Sequence, residues 1–155
     1  MLNKIKKDNK GFTIIEVLIV LAIAGLIMLV VFLAVPALQR SSRNTQREAD
    51  ATKVTAAMTA CISNRNGVVD SCNDSAELAS NGGLDTAKLQ QLTTVSYSAV
   101  GSMNTPGENI INFSFGAKCL ANGSGAEPAT STRQGAVVYR LESTATTATY
   151  KCIDV

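Results

Sequence analysis

Glu16 is a carboxylate near the start of an apolar run that extends from Phe12 to Val35. A charged side chain at the centre of a bilayer costs about 2.5–3.5 kcal/mol, and less near the end of a span, where Glu16 would lie. A segment that only anchored a protein would gain nothing from such a residue. Glu16 is therefore a candidate functional residue, and its function requires a cationic partner.

The side chains outside this run favour no catalytic chemistry. The chain has no His, which excludes His-based acid–base catalysis and restricts any zinc site to Cys or carboxylate ligands. The sequence also has no P-loop, no EF-hand loop and no clustered acidic residues. We therefore expect a protein that is not an enzyme, with no catalytic residues, no metal and no cofactor.

The apolar run is long enough to cross a membrane. Val17–Val35 has no charged or polar side chain and spans about 28 Å as a helix, close to the thickness of a hydrocarbon core. The segment Met1–Gly11 before it carries a net charge of +3, which favours a cytoplasmic N-terminus. A secretory signal cut near Val35-Pro36-Ala37 and a plain signal anchor are alternatives, although the apolar core of a secretory signal is usually shorter.

Three arginines follow the apolar run and share one helix face: Arg40, Arg43 and Arg47. They weaken the charge asymmetry on which the predicted orientation depends. The simplest interpretation is a solvated face. Contact with lipid phosphates before assembly, or with acidic neighbours afterwards, is the alternative.

The residues around Glu16 resemble a known processing site. The heptapeptide KGFTIIE that ends at Glu16, followed by the apolar run, resembles the processing site of type IV pilins and related pseudopilins. The resemblance implies that a membrane-embedded prepilin peptidase cleaves between Gly11 and Phe12 and methylates the new amine of Phe12. It places Glu16 at the family's acidic position and Gly25 at a small-residue position. Pro36 lies about one turn later than the usual helix-kinking proline of the family.

Cleavage at this position would give Glu16 a cationic partner. A methylated amine on Phe12 keeps its charge, and its attraction to the carboxylate is strong in low dielectric, offset in part by desolvation. Because Phe12 and Glu16 are four residues apart, the pair can form within one helix. We favour the alternative, in which Glu16 of an incoming subunit meets the Phe12 amine of a neighbour and sets the register of a helical filament. The resemblance also implies an assembly machinery with a separate ATPase.

The helical pattern continues beyond Pro36, because Ala37–Ser63 contains neither Gly nor Pro. Apolar residues recur there at helical spacing, which predicts a stripe that packs on a sheet: Val54, Ala57, Met58, Cys61 and Ile62. The segment 64–83 is polar and turn-rich, and Asp85–Leu92 is predicted as a short helix with Asp85 near its N-cap. The predicted strands are Thr94–Val100, Ile110–Ala117, Ala136–Leu141 and Thr147–Ile153.

These elements predict an α+β fold, in which the C-terminal half of a long N-terminal helix packs on a four-stranded antiparallel sheet. Four segments are expected: a cleaved leader (1–11), the transmembrane and polymerisation half of the helix (12–36), its second half (37–63) and a globular head (64–155). Residues 64–155 carry a net charge of −2, which offers no electrostatic basis for nucleic-acid binding.

Four cysteines, Cys61, Cys72, Cys119 and Cys152, contain no CxxC pair. In an exported chain they predict two disulfides with three possible connectivities, and four buried free thiols are the alternative. The favoured pairing joins Cys61 to Cys72, which are close in sequence, and Cys119 to Cys152, whose loop resembles the disulfide-bounded loop near the C-terminus of many pilins.

The resemblance implies a structural function. We expect a subunit that resides in the cytoplasmic (inner) membrane and then enters an extracellular pilus used for adhesion, twitching motility or DNA uptake. Glu16 favours a major subunit of that pilus. A pseudopilin of a type II secretion system is one alternative, for which calcium dependence and a lack of disulfides would be typical. A Sec-exported, disulfide-bonded binding domain beginning near Leu38 is the other.

Overall fold

The computed structural model describes residues 11–143 and 145–155. Most of the predicted leader therefore lies outside the described residues. The longest element is helix α1, Ile14–Asn64, which contains 51 residues and has Pro36 in its interior. The described chain divides into two compact units, one ending at Gln39 and the other comprising Arg40–Val155.

The unit that ends at Gln39 contains the apolar part of α1. Every large apolar side chain from Phe12 to Leu38 is exposed, by 39% to 89% of its surface. Helix α1 is long and apolar enough to cross a membrane by its length and composition. The sequence thus produces a helix that is apolar on all sides here, which is typical of a membrane span rather than of a surface helix.

The unit Arg40–Val155 contains the rest of α1, a short helix α2 (Ser75–Gly82) and six strands. The strands are β1 (Thr94–Tyr97), β2 (Ile110–Phe115), β3 (Ala117–Cys119), β4 (Ala126–Pro128), β5 (Gly135–Leu141) and β6 (Thr149–Asp154). Four of them form one sheet in the order β1-β2-β5-β6, and β3 pairs with β4 in a separate two-stranded sheet. The α+β fold expected from the sequence is confirmed.

The sheet is mixed, so the prediction of a purely antiparallel sheet is wrong. β1 pairs with β2 in parallel, with Thr94 opposite Ile110, whereas β2–β5 and β5–β6 are antiparallel. Residues 98–109 connect β1 to β2 and include a turn of 3₁₀ helix, Val100–Ser102. A connection of about a dozen residues is long enough for the crossover that parallel neighbours require.

Alternate residues of the two central strands face different parts of the core. Phe113 of β2 and Tyr139 of β5 pack in a cluster with Val54 and Met58 of α1, as the predicted stripe requires. Ala136 and Val138 point to the other face and pack with Ala117 and Ala126 of the β3–β4 sheet, and with Met103. β2 and β5 are therefore buried on both faces, which explains their nearly continuous apolar sequences.

Three local predictions differ from the structure. Within the segment predicted to be turn-rich, Ser75–Gly82 forms helix α2, and the predicted helix Asp85–Leu92 is only a 3₁₀ turn at Thr86–Lys88. The Asp85 side chain does accept a hydrogen bond from the Ala87 amide, as an N-cap does. The loop after β2 also contains the β3–β4 pairing, which three-residue strands with no alternating pattern do not reveal.

Candidate functional site

Glu16 and Thr13 form a capping box at the start of α1. One carboxylate oxygen of Glu16, Oε2, accepts hydrogen bonds from the backbone amide of Thr13 at 2.8 Å and from its hydroxyl at 2.7 Å. In return the amide of Glu16 donates to Oγ1 of Thr13 at 3.4 Å. The helix begins at Ile14, so Thr13 is the N-cap and Glu16 is the third helical residue, the positions of a capping box.

This arrangement gives Glu16 an intramolecular partner in the uncleaved chain. Both hydrogen bonds fall on Oε2, and Oε1 accepts none from the described residues. A carboxylate has about four lone-pair sites, so Oε1 keeps its full capacity for another donor. The negative charge also lies at the helix N-terminus, where the helix dipole favours it.

Gly11 and Phe12 precede the helix and are exposed, with Phe12 exposing 89% of its surface. A Cβ atom added to Gly11 would meet nothing within 4 Å. The fold of the chain itself therefore does not require glycine at this position. Among the described residues, no hydrogen bond joins Phe12 to Glu16, and the amine that would pair with Glu16 exists only after cleavage.

Two of the three arginines beyond the apolar run contact the end of β5. Nε of Arg43 lies 2.7 Å from a carboxylate oxygen of Glu142, and the buried Arg47 donates to the carbonyl of Arg140 at 2.8 Å and to Glu142 at 3.3 Å. The hydrogen bonds from Arg43 hold the pKa of Glu142 below its usual value. Two of the three arginines thus fasten helix to strand.

Asn44 lies between these arginines and holds the backbone of the same residue. Its amide oxygen accepts from the Glu142 N–H at 2.8 Å, and its amide nitrogen donates to the Glu142 carbonyl at 3.0 Å. The side chain therefore satisfies both backbone groups of a residue that has just left the sheet. No local sequence pattern indicates this contact, because the two residues are 98 positions apart.

Asp50 is a fully buried carboxylate of α1 that organises the chain before β1. Its Oδ2 accepts from the amides of Gln90, Gln91 and Leu92 at 2.9, 2.7 and 3.1 Å, and its Oδ1 accepts from the Lys53 ammonium at 3.1 Å. Burial by itself would raise the pKa of Asp50, but these donors together hold it below its usual value.

The four cysteines form two disulfides, Cys61–Cys72 and Cys119–Cys152, across 11 and 33 residues of sequence. The first joins the end of α1 to the segment before α2. The second joins β3 to β6, and so ties the small sheet to an edge of the large one. No described residues form a cluster of three or more side chains suited to hold a metal ion.

Sequence reasoning missed three residues that the structure shows to be structurally important: Thr13, Asn44 and Asp50. The Thr13 signal was present, since Thr-x-x-Glu before an apolar run spells a capping box. The functions of Asn44 and Asp50 depend on partners 98 and about 40 residues away. No local pattern identifies such partners.

Comparison with known proteins finds a family match, and it covers the N-terminal segment. Residues 6–32 match the family model described as the prokaryotic N-terminal methylation motif, which is the leader signature of type IV prepilins. A search of curated proteins and a search of solved structures each returned no match.

The methylation motif and the long apolar helix fit a type IV pilin-like or pseudopilin protein. The motif implies processing by a peptidase and assembly into a filament. It also fits a membrane-anchored precursor and a structural function.

Proposed function

We propose that this protein is a structural subunit of a type IV pilus, not an enzyme, and that prepilin peptidase cleaves it between Gly11 and Phe12. The mature chain would be Phe12–Val155, methylated on the amine of Phe12. The precursor would cross the cytoplasmic (inner) membrane once, and the mature subunit would enter an extracellular fibre. The methylation motif at residues 6–32 supports this proposal.

The observation that carries the proposal is the exposure of the apolar helix together with a single carboxylate at its start. Lipid covers such a surface before assembly, and the corresponding helices of other copies would cover it afterwards. Apolar matching alone gives no driving force inside lipid, because lipid tails are as apolar as the helix. The assembly machinery and its separate ATPase would therefore supply the work of extraction.

Glu16 would direct the docking of one copy on the next. Oε2 is engaged by Thr13, and Oε1 is open to the methylated Phe12 amine of a neighbouring copy. The capping box fixes the carboxylate in one orientation, which lowers the entropy lost when the amine binds. The pair would be stronger in low dielectric than in water, and would set the axial position of each incoming subunit.

The two disulfides favour a pilus subunit over a pseudopilin of a type II secretion system. The glutamate at position 16 favours a major, repeatedly polymerising subunit. The fibre would serve adhesion, twitching motility or DNA uptake, the activities that the resemblance implies.

Calcium dependence distinguishes a pilus subunit from a pseudopilin. A pilus subunit should keep the stability of its head and its filament yield after calcium is chelated, whereas a loss of both would favour the pseudopilin.

Intact-mass analysis of the protein recovered from cells tests the proposal directly. We expect the mass of Phe12–Val155 with one added methyl group and two disulfides. A mature chain that begins near Leu38 would instead identify a Sec-exported binding domain. A chain that keeps Met1–Gly11 in cells with an active prepilin peptidase would contradict processing.

A further inference from the structure

One arginine of the α1 face makes no direct polar contact in the described fold, although its charge helps to lower the pKa of Glu142. Arg40 makes no hydrogen bond or ion pair with the described residues, in contrast to Arg43 and Arg47. It is only partly exposed. An arginine held against a protein surface without an acceptor leaves five N–H donors to water or to a ligand.

Arg40 lines a polar cavity of about 240 Å³ together with residues from the end of β5 and from the loop before β2. Three arginines and two glutamates are among the residues that line this cavity. Its lining residues are Arg40, Arg47, Glu108, Arg140, Leu141, Glu142 and Ser143. The cavity is several times the volume of about 30 Å³ that a water molecule occupies in the liquid.

The two glutamates do not neutralise all three arginines that line the cavity. Glu142 is already held by Arg43 at 2.7 Å and Arg47 at 3.3 Å. Glu108 approaches Arg140 only to 3.6 Å and exposes 72% of its side chain, so it contributes little and can move aside. Arg40 and Arg140 are therefore the cationic groups that an anion could reach.

A second observation also indicates that this cavity lacks an acceptor. The side chain of Arg47 is 5% exposed, and its Nε atom is buried without a hydrogen-bond partner among the described residues. Buried donors are nearly always satisfied in folded proteins, and each exception calls for an explanation. An anion and its bound waters in the adjoining cavity would bring acceptors to the part of Arg47 that lines it.

The position of Arg40 in the chain selects the anion. It is five residues after Val35, the last residue of the apolar stretch, which corresponds to about 8 Å of helical rise. Even a fully extended chain could not carry it more than about 18 Å away. The headgroup layer begins where the hydrocarbon core ends, and is about 5–8 Å thick on each side. Lipid phosphates are therefore the anions concentrated within reach of Arg40.

We propose that the cavity between Arg40 and Arg140 binds the phosphate of an anionic phospholipid headgroup while the precursor is in the membrane. Guanidinium groups suit this ligand because they bind phosphate oxygens in a bidentate manner. The site would hold the head against the bilayer surface, and would lose its lipid when the subunit leaves the membrane. This inference rests on the proposed function only in requiring that the apolar helix is inserted in a membrane.

Native mass spectrometry of the full-length protein in non-ionic detergent tests the site, with phosphatidylglycerol added as the probe. Arg40→Gln and Arg140→Gln should each weaken lipid binding about fivefold, since one arginine near a lipid surface contributes about that factor. Arg65→Gln removes the same charge from an exposed position outside the cavity and should change binding less than twofold. Tyrosine fluorescence of each variant controls for folding, because all three tyrosines belong to the head.

Four outcomes would overturn the proposal, and a fifth bears only on the proposed function. Unchanged lipid binding by a variant that carries both Arg40→Gln and Arg140→Gln, or an equal loss with Arg65→Gln, would show that the cavity is not the site. Competition by inorganic phosphate at the same concentration as the lipid would indicate a soluble anion site. Loss of filaments with normal lipid binding would assign the arginines to an acidic neighbour. A protein that binds the lipid but keeps its leader in cells would contradict the proposed function and leave the lipid site standing.

Discussion

Oε2 of Glu16 lies 2.8 Å from the backbone nitrogen of Thr13, so the carboxylate at the start of the apolar helix has a partner before any cleavage occurs. This contact separates two functions of Glu16 that the sequence alone merges. As a cap, Glu16 satisfies a backbone amide at the helix start. As a charge, it can attract the amine of a neighbouring subunit.

Substitutions at the two residues distinguish these functions. Glutamine can replace glutamate in a capping box but carries no charge. Glu16→Gln and Glu16→Ala should therefore both insert in the membrane and be cleaved, yet give few or no filaments. Thr13→Ala keeps the charge and removes the cap, and should reduce filament yield only in part. Yield is measured by shearing and quantifying surface fibres, and wild-type yield from Glu16→Gln would rule out the charge pair.

Asp50 should be among the most important polar residues of the head. Asp50→Ala leaves the amides of Gln90, Gln91 and Leu92 without their charged acceptor, and Leu92 is buried. We expect a loss of about 3–5 kcal/mol in the free energy of unfolding, because three backbone donors lose a charged acceptor and each such hydrogen bond contributes about 1.5–3 kcal/mol. Urea unfolding in detergent, followed by tyrosine fluorescence, measures it. The control variant Asp85→Ala removes an exposed cap and should lower the free energy of unfolding by about 1 kcal/mol. Equal losses from Asp50→Ala and Asp85→Ala would contradict this role of Asp50.

Acid should destabilise the head through Asp50 and Glu142. The pKa of each group is lowered in the folded state, so the unfolded state binds more protons over the titration range. The stabilisation is therefore complete above the unfolded pKa values, about 3.9 for Asp and 4.3 for Glu, and is lost as pH falls through the lower folded values. Unfolding midpoints measured from pH 7 to pH 2 should show this decline. Asp50→Asn should show a shallower dependence, and an unchanged slope would contradict the assignment.

Gly82, the last residue of helix α2, lies close to the backbone of α1. A Cβ atom added there would be 2.2 Å from the backbone oxygen of Ala57, which cannot move as a side chain can. Gly82→Ala should cost about 1–3 kcal/mol of stability through overpacking. Gly83→Ala is the matched control, because its Cβ meets nothing within 4 Å and only its φ of +70° is unfavourable. Differential scanning calorimetry should show the larger loss for Gly82→Ala.

The Cys119–Cys152 disulfide should stabilise the head because it closes a loop across a sequence separation of 33. The chain-entropy estimate for a loop of this length is about 3.7 kcal/mol, against about 2.8 kcal/mol for the shorter Cys61–Cys72 loop. Replacing Cys119 and Cys152 by alanine should lower the free energy of urea unfolding by about the first amount. Adding a reductant to this variant then breaks the remaining Cys61–Cys72 disulfide, and the further loss of stability measures its contribution. A variant as stable as the wild type would show that the loop is ordered without its disulfide.

Local patterns in the sequence determined those elements that depend only on residues close together in the chain. An unbroken apolar run produces an all-round apolar helix, and the heptapeptide around Glu16 carries the methylation motif with no help from the rest of the chain. The stripe that includes Val54 and Met58 predicted the face of α1 that is buried, because helical spacing brings these side chains together wherever the helix packs.

Only the tertiary structure decided which distant residues meet. The parallel pairing of β1 with β2 depends on the path of residues 98–109, and a strand's sequence does not encode the direction of its neighbour. The contacts of Asp50 with the Gln90 amide and of Arg43 with Glu142 join positions 40 and 99 residues apart. Such contacts form because the packing of helix on sheet leaves polar groups that must find partners. The cavity beside Arg40 has the same origin. The sequence revealed the charge of that helix face, but only the fold brings Arg140 next to it.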